Sequence, residues 1–235
     1  MNQQNNRNRK LLWLLPAAVL AVVAAVLLTR EPEAPPAAEP MPTVTIRDSE
    51  ELSLGQGLVI ERLDGYSGVY MEDGSDDIVQ DVMMLLLRND SDRCLQLARI
   101  DVTCGGGTAE FEITDLPAGS RAVLLERSRR VYNGESVQLA QARDVVFFEE
   151  SVDLAPETLE LQGAEGRITV TNRTDAAIAG PVCIYYKNST ADVYYGGITY
   201  RVTISQGLAA GETVTVPAGH YDPASCSFIR AHWGE

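Results

Sequence analysis

Two histidines and two lysines, Lys10 and Lys187, are all that 235 residues offer in those types, so imidazole and Schiff-base chemistry have few carriers. His220, Asp222, Cys226 and His232 gather both histidines with an acid and a thiol, all ligand types for zinc. Their spacing matches no zinc motif, and a C-terminal strand with polar ends is the plainer reading. The turn Glu72-Asp73-Gly74-Ser75-Asp76-Asp77 offers carboxylates to calcium but lacks the alternation and distal Glu of a helical calcium loop. No metal or cofactor is expected. No G-x-S-x-G, S-x-x-K, Walker or dinucleotide glycine pattern occurs, and Gly65-Tyr66-Ser67-Gly68 reads as a turn. No catalytic residue is assigned, and a non-enzymatic protein is expected.

Four cysteines remain as reactive groups. Cys94 and Cys104 have no turn residue between them, which on one strand sets them about 33 Å apart, far beyond the roughly 7 Å between Cα atoms that a disulfide spans. Cys183 and Cys226 fall on separate expected strands and are the pair a disulfide would join; the alternative is four buried thiols acting as small hydrophobes. Val102-Thr103-Cys104 at a strand end invites comparison with sortase-like cysteine transpeptidases, the third functional reading. Those enzymes place His before Cys, whereas no His precedes Cys104. A thiolate nucleophile needs a base in reach.

Tyr185, Tyr186, Tyr194, Tyr195 and Tyr200, with Gly196-Gly197 among them, form the most distinctive local feature. Adjacent strand residues point to opposite faces, so one of each pair packs inward and the other is presented outward. The glycines suit a bend or bulge. An outward tyrosine strip anchors a protein partner or stacks on a sugar ring, and cross-strand packing is the alternative. These five are the candidate contact residues, for an envelope protein partner first and a glycan or cell-wall ligand second.

The elements that must carry them begin with an anchor. Leu11 to Leu28 is an unbroken run of 18 residues without a charged or polar side chain, enough at about 1.5 Å rise per residue to cross a bilayer core. Arg7, Arg9 and Lys10 precede it, and Glu31 and Glu33 follow, which puts the N-terminus in the cytoplasm and the remainder outside. A cleaved signal peptide is the alternative. Residues 30–42 contain five prolines and three glutamates, the composition of an extended stalk. Residues 31–235 carry 15 basic and 33 acidic side chains, a net charge of −18. That surface is repelled by nucleic acid and anionic lipid, and no nucleic-acid partner is expected.

Beyond the stalk, short apolar runs alternate with Gly, Asn, Asp and Pro turns, the pattern of an all-β sandwich. Gln138 to Arg143 is one weak helical turn. Two stretches repeat one unit. A strand leads into Asn89-Asp90-Ser91-Asp92 and later Leu116-Pro117-Ala118-Gly119-Ser120 precedes RAVLL; another leads into Asn172-Arg173-Thr174-Asp175 and later Leu208-Ala209-Ala210-Gly211-Glu212 precedes TVTV. The tripeptides Asn89-Asp90-Ser91, Asn172-Arg173-Thr174 and Asn188-Ser189-Thr190 are formal glycosylation sequons, better read as turn chemistry.

With its anchor, stalk, N-x-[ST]-D and L-x-A-G-[SE] turns, the chain resembles the immunoglobulin-like domains, including the FxLyD type, of bacterial envelope proteins, over residues 80–128 and 165–217. The resemblance implies an extracytoplasmic sandwich with a non-enzymatic role, and carries no family binding residue onto this chain. The expected organisation is a cytoplasmic tail (1–10), a transmembrane helix (11–29), the stalk (30–42), a first sandwich domain (43–150), a linker (151–157) and a second sandwich domain (158–235).

Overall fold

The computed structural model describes residues 51–75 and 77–234. The expected tail, membrane span and stalk lie outside the described residues; among the described residues no helix is long and apolar enough to cross a membrane. The described chain is all-β. Its strands are β1 (Leu52–Gly55), β2 (Leu58–Val69), β3 (Ile78–Asn89), β4 (Leu95–Cys104), β5 (Gly107–Leu116), β6 (Arg121–Leu125), β7 (Val137–Phe147), β8 (Leu159–Ala164), β9 (Arg167–Asn172), β10 (Val182–Thr190), β11 (Val193–Ile204), β12 (Thr213–Pro217) and β13 (Cys226–Trp233).

Side-chain period explains most of them. On β5, Ala109, Phe111 and Ile113 are buried while Glu110 and Glu112 face outward. On β9, Ile168 and Val170 are buried, and the outward Thr169 and Thr171 pair through their hydroxyls with Thr215 and Thr213 on β12. β3 differs because its run from Val82 to Leu87 is apolar without alternation, and all six side chains are buried. Such a run belongs to a strand covered on both faces.

Three sheets result, ordered β1-β2-β3-β6-β11-β10-β13, β5-β4-β7 and β12-β9-β8. The internal repeat is visible in their pairing. β2-β3-β6 and β5-β4-β7 enclose one core around Leu85, Ile100, Phe111 and Leu124. β8-β9-β12 and β11-β10-β13 enclose another around Ile168, Val182, Ile184 and Tyr186. The two repeats join edge to edge where β6 pairs with β11, the only parallel pair among the described strands, so one sheet runs through both.

The repeated asparagine is the pin of each unit. Asn89 and Asn172 are fully buried. Asn89 Nδ2 donates to the carbonyls of Arg93, Leu116 and Pro117, and its Oδ1 accepts from the backbone N–H and hydroxyl of Ser91. Asn172 Nδ2 donates to Ala176, Leu208 and Ala209, and its Oδ1 accepts from the N–H and hydroxyl of Thr174. The motif ties a strand end to the L-x-A-G turn, the reason both halves of the signature recur together.

Two local expectations are corrected. Gln138 to Arg143 is not a helical turn but the middle of β7, held by antiparallel pairing of Arg143, Ala142, Gln141 and Ala140 with β4. Gly65 to Gly68 continues β2 through a bulge rather than turning. The tyrosine hairpin closes on Ala191-Asp192, with φ of 45° and 68°, the left-handed pair of a two-residue turn that matches strand twist.

Candidate functional site: the joint and the cleft between the repeats

The tyrosine hairpin builds the joint between the repeats. Tyr194 and Tyr195 pair in register with Ala122 and Val123 of β6. Tyr194 accordingly packs against the first repeat's core, while Tyr195 shares the opposite sheet face with Val123 and is 7% exposed. Beside them, Arg230 Nε donates to Asp115 Oδ1 at 2.9 Å, linking β13 to β5, with both side chains largely buried. The same guanidinium lies 3.4 Å from the Tyr185 ring centroid and 4.9 Å from that of Phe148.

Lys187, the only lysine among the described residues, is fully buried on β10. Its Nζ donates to the carbonyls of Thr114 (3.0 Å), Gly197 (3.0 Å) and Ile198 (2.7 Å), with Thr199 Oγ1 at 3.3 Å. Thr114 belongs to the first repeat and the others to the second. Glu72, in the β2–β3 connection, makes the complementary link: Oε1 accepts from Leu125 N and Oε2 from Gly197 N, each at 2.7 Å. The Gly197 peptide is therefore gripped at both ends, and a side chain there would overlap the Glu112 carbonyl. Burial pushes Lys187 down to about 8 against the opposing charges of Glu72 and Asp115. Burial likewise pushes Glu72 up to about 7, opposed by its two backbone donors and Lys187.

The repeats also frame a cleft of about 460 Å³, lined by Tyr70, Met71, Gly74 and Ser75 from the first and by Glu165, Asn188, Tyr200, His220 and Asp222 from the second. A stack of rings runs from core to surface along one wall. Tyr186, 2% exposed, stacks on Tyr200 at 5.3 Å, and Tyr200 stacks on the exposed His220 at 4.8 Å, both with interplanar angles of 21°. Tyr221 meets Tyr186 edge-on at 5.2 Å and lies over Gly163, where a side chain would overlap its ring. The Tyr221 loop is laced to the β8–β9 turn by Gly166 N to Tyr221 O and Ala218 N to Gly166 O. On the facing wall, Tyr70 donates its hydroxyl to Glu126 O, and Arg129 covers its ring at 4.4 Å.

The structure thus brings Tyr200 alone of the five candidate tyrosines to the cleft. Tyr185, Tyr186, Tyr194 and Tyr195 are half-buried or buried in the joint and cores, so the hairpin presents no outward strip. The reasons are local: Tyr186 belongs to the second core, Tyr194 packs on the first, Tyr195 sits beside Val123 in the joined sheet, and Arg230 covers the Tyr185 ring. Asp73 and Asp77, from the turn considered for calcium, are instead paired with Arg129 at 2.9 and 2.8 Å. His220, Asp222, Cys226 and His232 form no metal-binding cluster among the described residues: the one proton of the Cys226 thiol is shared between Asn188 Oδ1 and the His220 carbonyl, and His232 lies farther along β13, opposite Cys183.

All four cysteines are free thiols. Cys183 and Cys226 occupy neighbouring strands but pair with His232 and Asn188 respectively, an offset of about 17 Å along the strand, so the anticipated disulfide does not form. Burial pushes Cys94 up to about 11 and also raises Cys104 and Cys226. A thiolate nucleophile needs the opposite shift. In the sequence Lys187 stands out only as one of two lysines, and Glu72 only as a carboxylate of the acidic turn; neither marks the joint. The one available signal was a lone lysine inside an apolar, aromatic strand.

The site and fold define an all-β chain with a cleft between two internal repeats. No protein-family model, curated protein or solved structure matches it.

Proposed function

We propose that this chain is a non-enzymatic binding protein of the cell envelope. Residues 11–29 anchor it with the N-terminus in the cytoplasm, and the stalk of residues 30–42 carries residues 43–235 outside. The two repeats are read as small immunoglobulin-like sandwiches of the FxLyD type, a reading supported by the strand pairing that recurs from β2–β7 to β8–β13.

The observation that carries the functional reading is the cleft. Its walls come from both repeats, and the Lys187 and Glu72 contacts fasten those repeats together, so the site is preorganised and of a size suited to a small ligand or a short segment of a larger one. Recognition is accordingly assigned to the cleft rather than to the tyrosine hairpin as a flat protein contact.

The test places a photoreactive amino acid at Ser75, on the cleft, in the tagged full-length chain in its native membrane, with Leu139, exposed on β7, as the control position. A recurrent adduct from position 75 that is missing from position 139 is expected. Identical adducts from both positions, or none from position 75, would overturn the assignment.

A further inference from the structure

We propose that the occupant of this cleft is an uncharged saccharide; the inference rests on the cleft being the recognition site. The ring stack Tyr186-Tyr200-His220 ends in an exposed imidazole, and the imidazole face turned away from Tyr200 is a π surface on which the C–H face of a pyranose ring can stack. Around it stand groups that suit hydroxyls. Glu165 offers a carboxylate acceptor. Asn188 has its Oδ1 taken by the Cys226 thiol at 3.3 Å, which leaves its two Nδ2 donors for the cleft.

Other ligand classes fit less well. A wholly aliphatic ligand would strip water from Glu165 and Asn188 without replacing their hydrogen bonds, which is unfavourable. A quaternary ammonium needs a cage of several open aromatic faces, but Arg129 already sits over Tyr70 and Tyr200 is sandwiched between Tyr186 and His220. An anionic sugar meets Glu165 and Asp222, while Arg129 beside Tyr70 is already paired with Asp73 and Asp77, on a segment carrying a net charge of −18. What remains is a ligand with one apolar face and many neutral hydroxyls.

The test titrates the full-length chain, in lipid nanodiscs, with short cello-, malto- and chito-oligosaccharides, and with heparin fragments as the anionic comparison. Saturable binding of at least one neutral series and none of heparin is expected. His220→Ala should weaken that binding by about tenfold with an unchanged melting curve, because the side chain is exposed, and His220→Trp should restore it. Failure of every neutral series, preference for heparin, or binding indifferent to His220→Ala would overturn the saccharide. If sugars fail while the photoreactive residue at position 75 still captures a polypeptide, the saccharide falls and the cleft stands; if position 75 captures nothing either, both fall.

Discussion

Lys187 Nζ lies 3.0 Å from the carbonyl oxygen of Thr114, so the only lysine among the described residues, on the second repeat, is seated in the backbone of the first. Replacing it with methionine keeps the length and removes the donors. Three carbonyls, of Thr114, Gly197 and Ile198, then lose the ammonium, and Glu72 loses the cation that most favours its charge. Lys187→Met is expected to cost about 3 to 5 kcal/mol, the range for breaking a buried charged network from one side. Equilibrium urea unfolding measures it, and an unchanged midpoint would show that the two repeats do not depend on this contact.

The same pair predicts a pH dependence with a definite sign. Burial raises Glu72 from an ordinary 4.5 to about 7, so the folded state binds that proton more tightly than the unfolded chain does. Its contribution is full below about pH 4.5 and is lost as pH rises through about 7. Burial lowers Lys187 from 10.5 to about 8, so its contribution is full above about pH 10.5 and is lost as pH falls through about 8. Relative to Glu72→Gln, the wild type should gain stability on acidification from about pH 7 to 4.5. Relative to Lys187→Met, it should gain from about pH 8 to 10.5. Denaturation midpoints across both windows test this; differences that stay flat with pH would contradict it.

Asn89 and Asn172 make matching sets of hydrogen bonds in the two repeats. Alanine at either position strands three carbonyls that the amide now serves, an expected loss of about 2 to 3 kcal/mol in each case. Aspartate should fare no better, since it replaces the donor with an acceptor. Because the two sites lie in different cores, the double variant should be additive within about 0.5 kcal/mol. Unequal single losses would argue that the repeats are alike in sequence but not in energetics.

Those asparagines also show what could be read in advance. The strand positions, the N-x-[ST] turns and the existence of a repeat follow from local alternation and turn chemistry, which a single segment carries within itself. The joint does not, because the parallel pairing of Tyr194 with Ala122 and Tyr195 with Val123 brings together residues distant in the chain. Nothing near Tyr194 indicates that a strand of another repeat will cover it. Tyr200 is legible in the sequence as a candidate for contact, whereas its neighbour in the stack, His220, carries there only the signature of a metal-ligand type. Lys187 was invisible as a buried group because burial of a lysine depends on carbonyls supplied by two other strands.

The thiols give a chemical readout of the same packing. With Cys94 pushed up to about 11 by burial, its thiolate is scarce near neutral pH. Alkylation of the folded protein at pH 8 should be slower at Cys94 than in the unfolded chain by about a hundredfold. After unfolding without reductant, all four cysteines should be alkylated, since none is paired. A mass consistent with one disulfide joining Cys183 and Cys226 would require β10 and β13 to be in a different register.

Gly163 gives the sharpest test of the cleft wall. A methyl group there would overlap the ring of Tyr221, which packs edge-on against Tyr186 at 5.2 Å and stacks on Phe228 at 5.0 Å. The ring has nowhere to shift without leaving both partners, so Gly163→Ala should cost about 1 to 3 kcal/mol, the usual range for overpacking. Tyr221→Ala alone should cost about 3 to 5 kcal/mol, as expected for deleting a buried aromatic side chain. In the double variant the clash has no partner, so the combined loss should fall short of the sum by about 1 kcal/mol or more. Urea unfolding of the four proteins closes the cycle, and near-ultraviolet circular dichroism should report the disturbed ring stack in Gly163→Ala. Strict additivity would mean that Tyr221 does not rest on Gly163, and the wall of the cleft would have to be drawn differently.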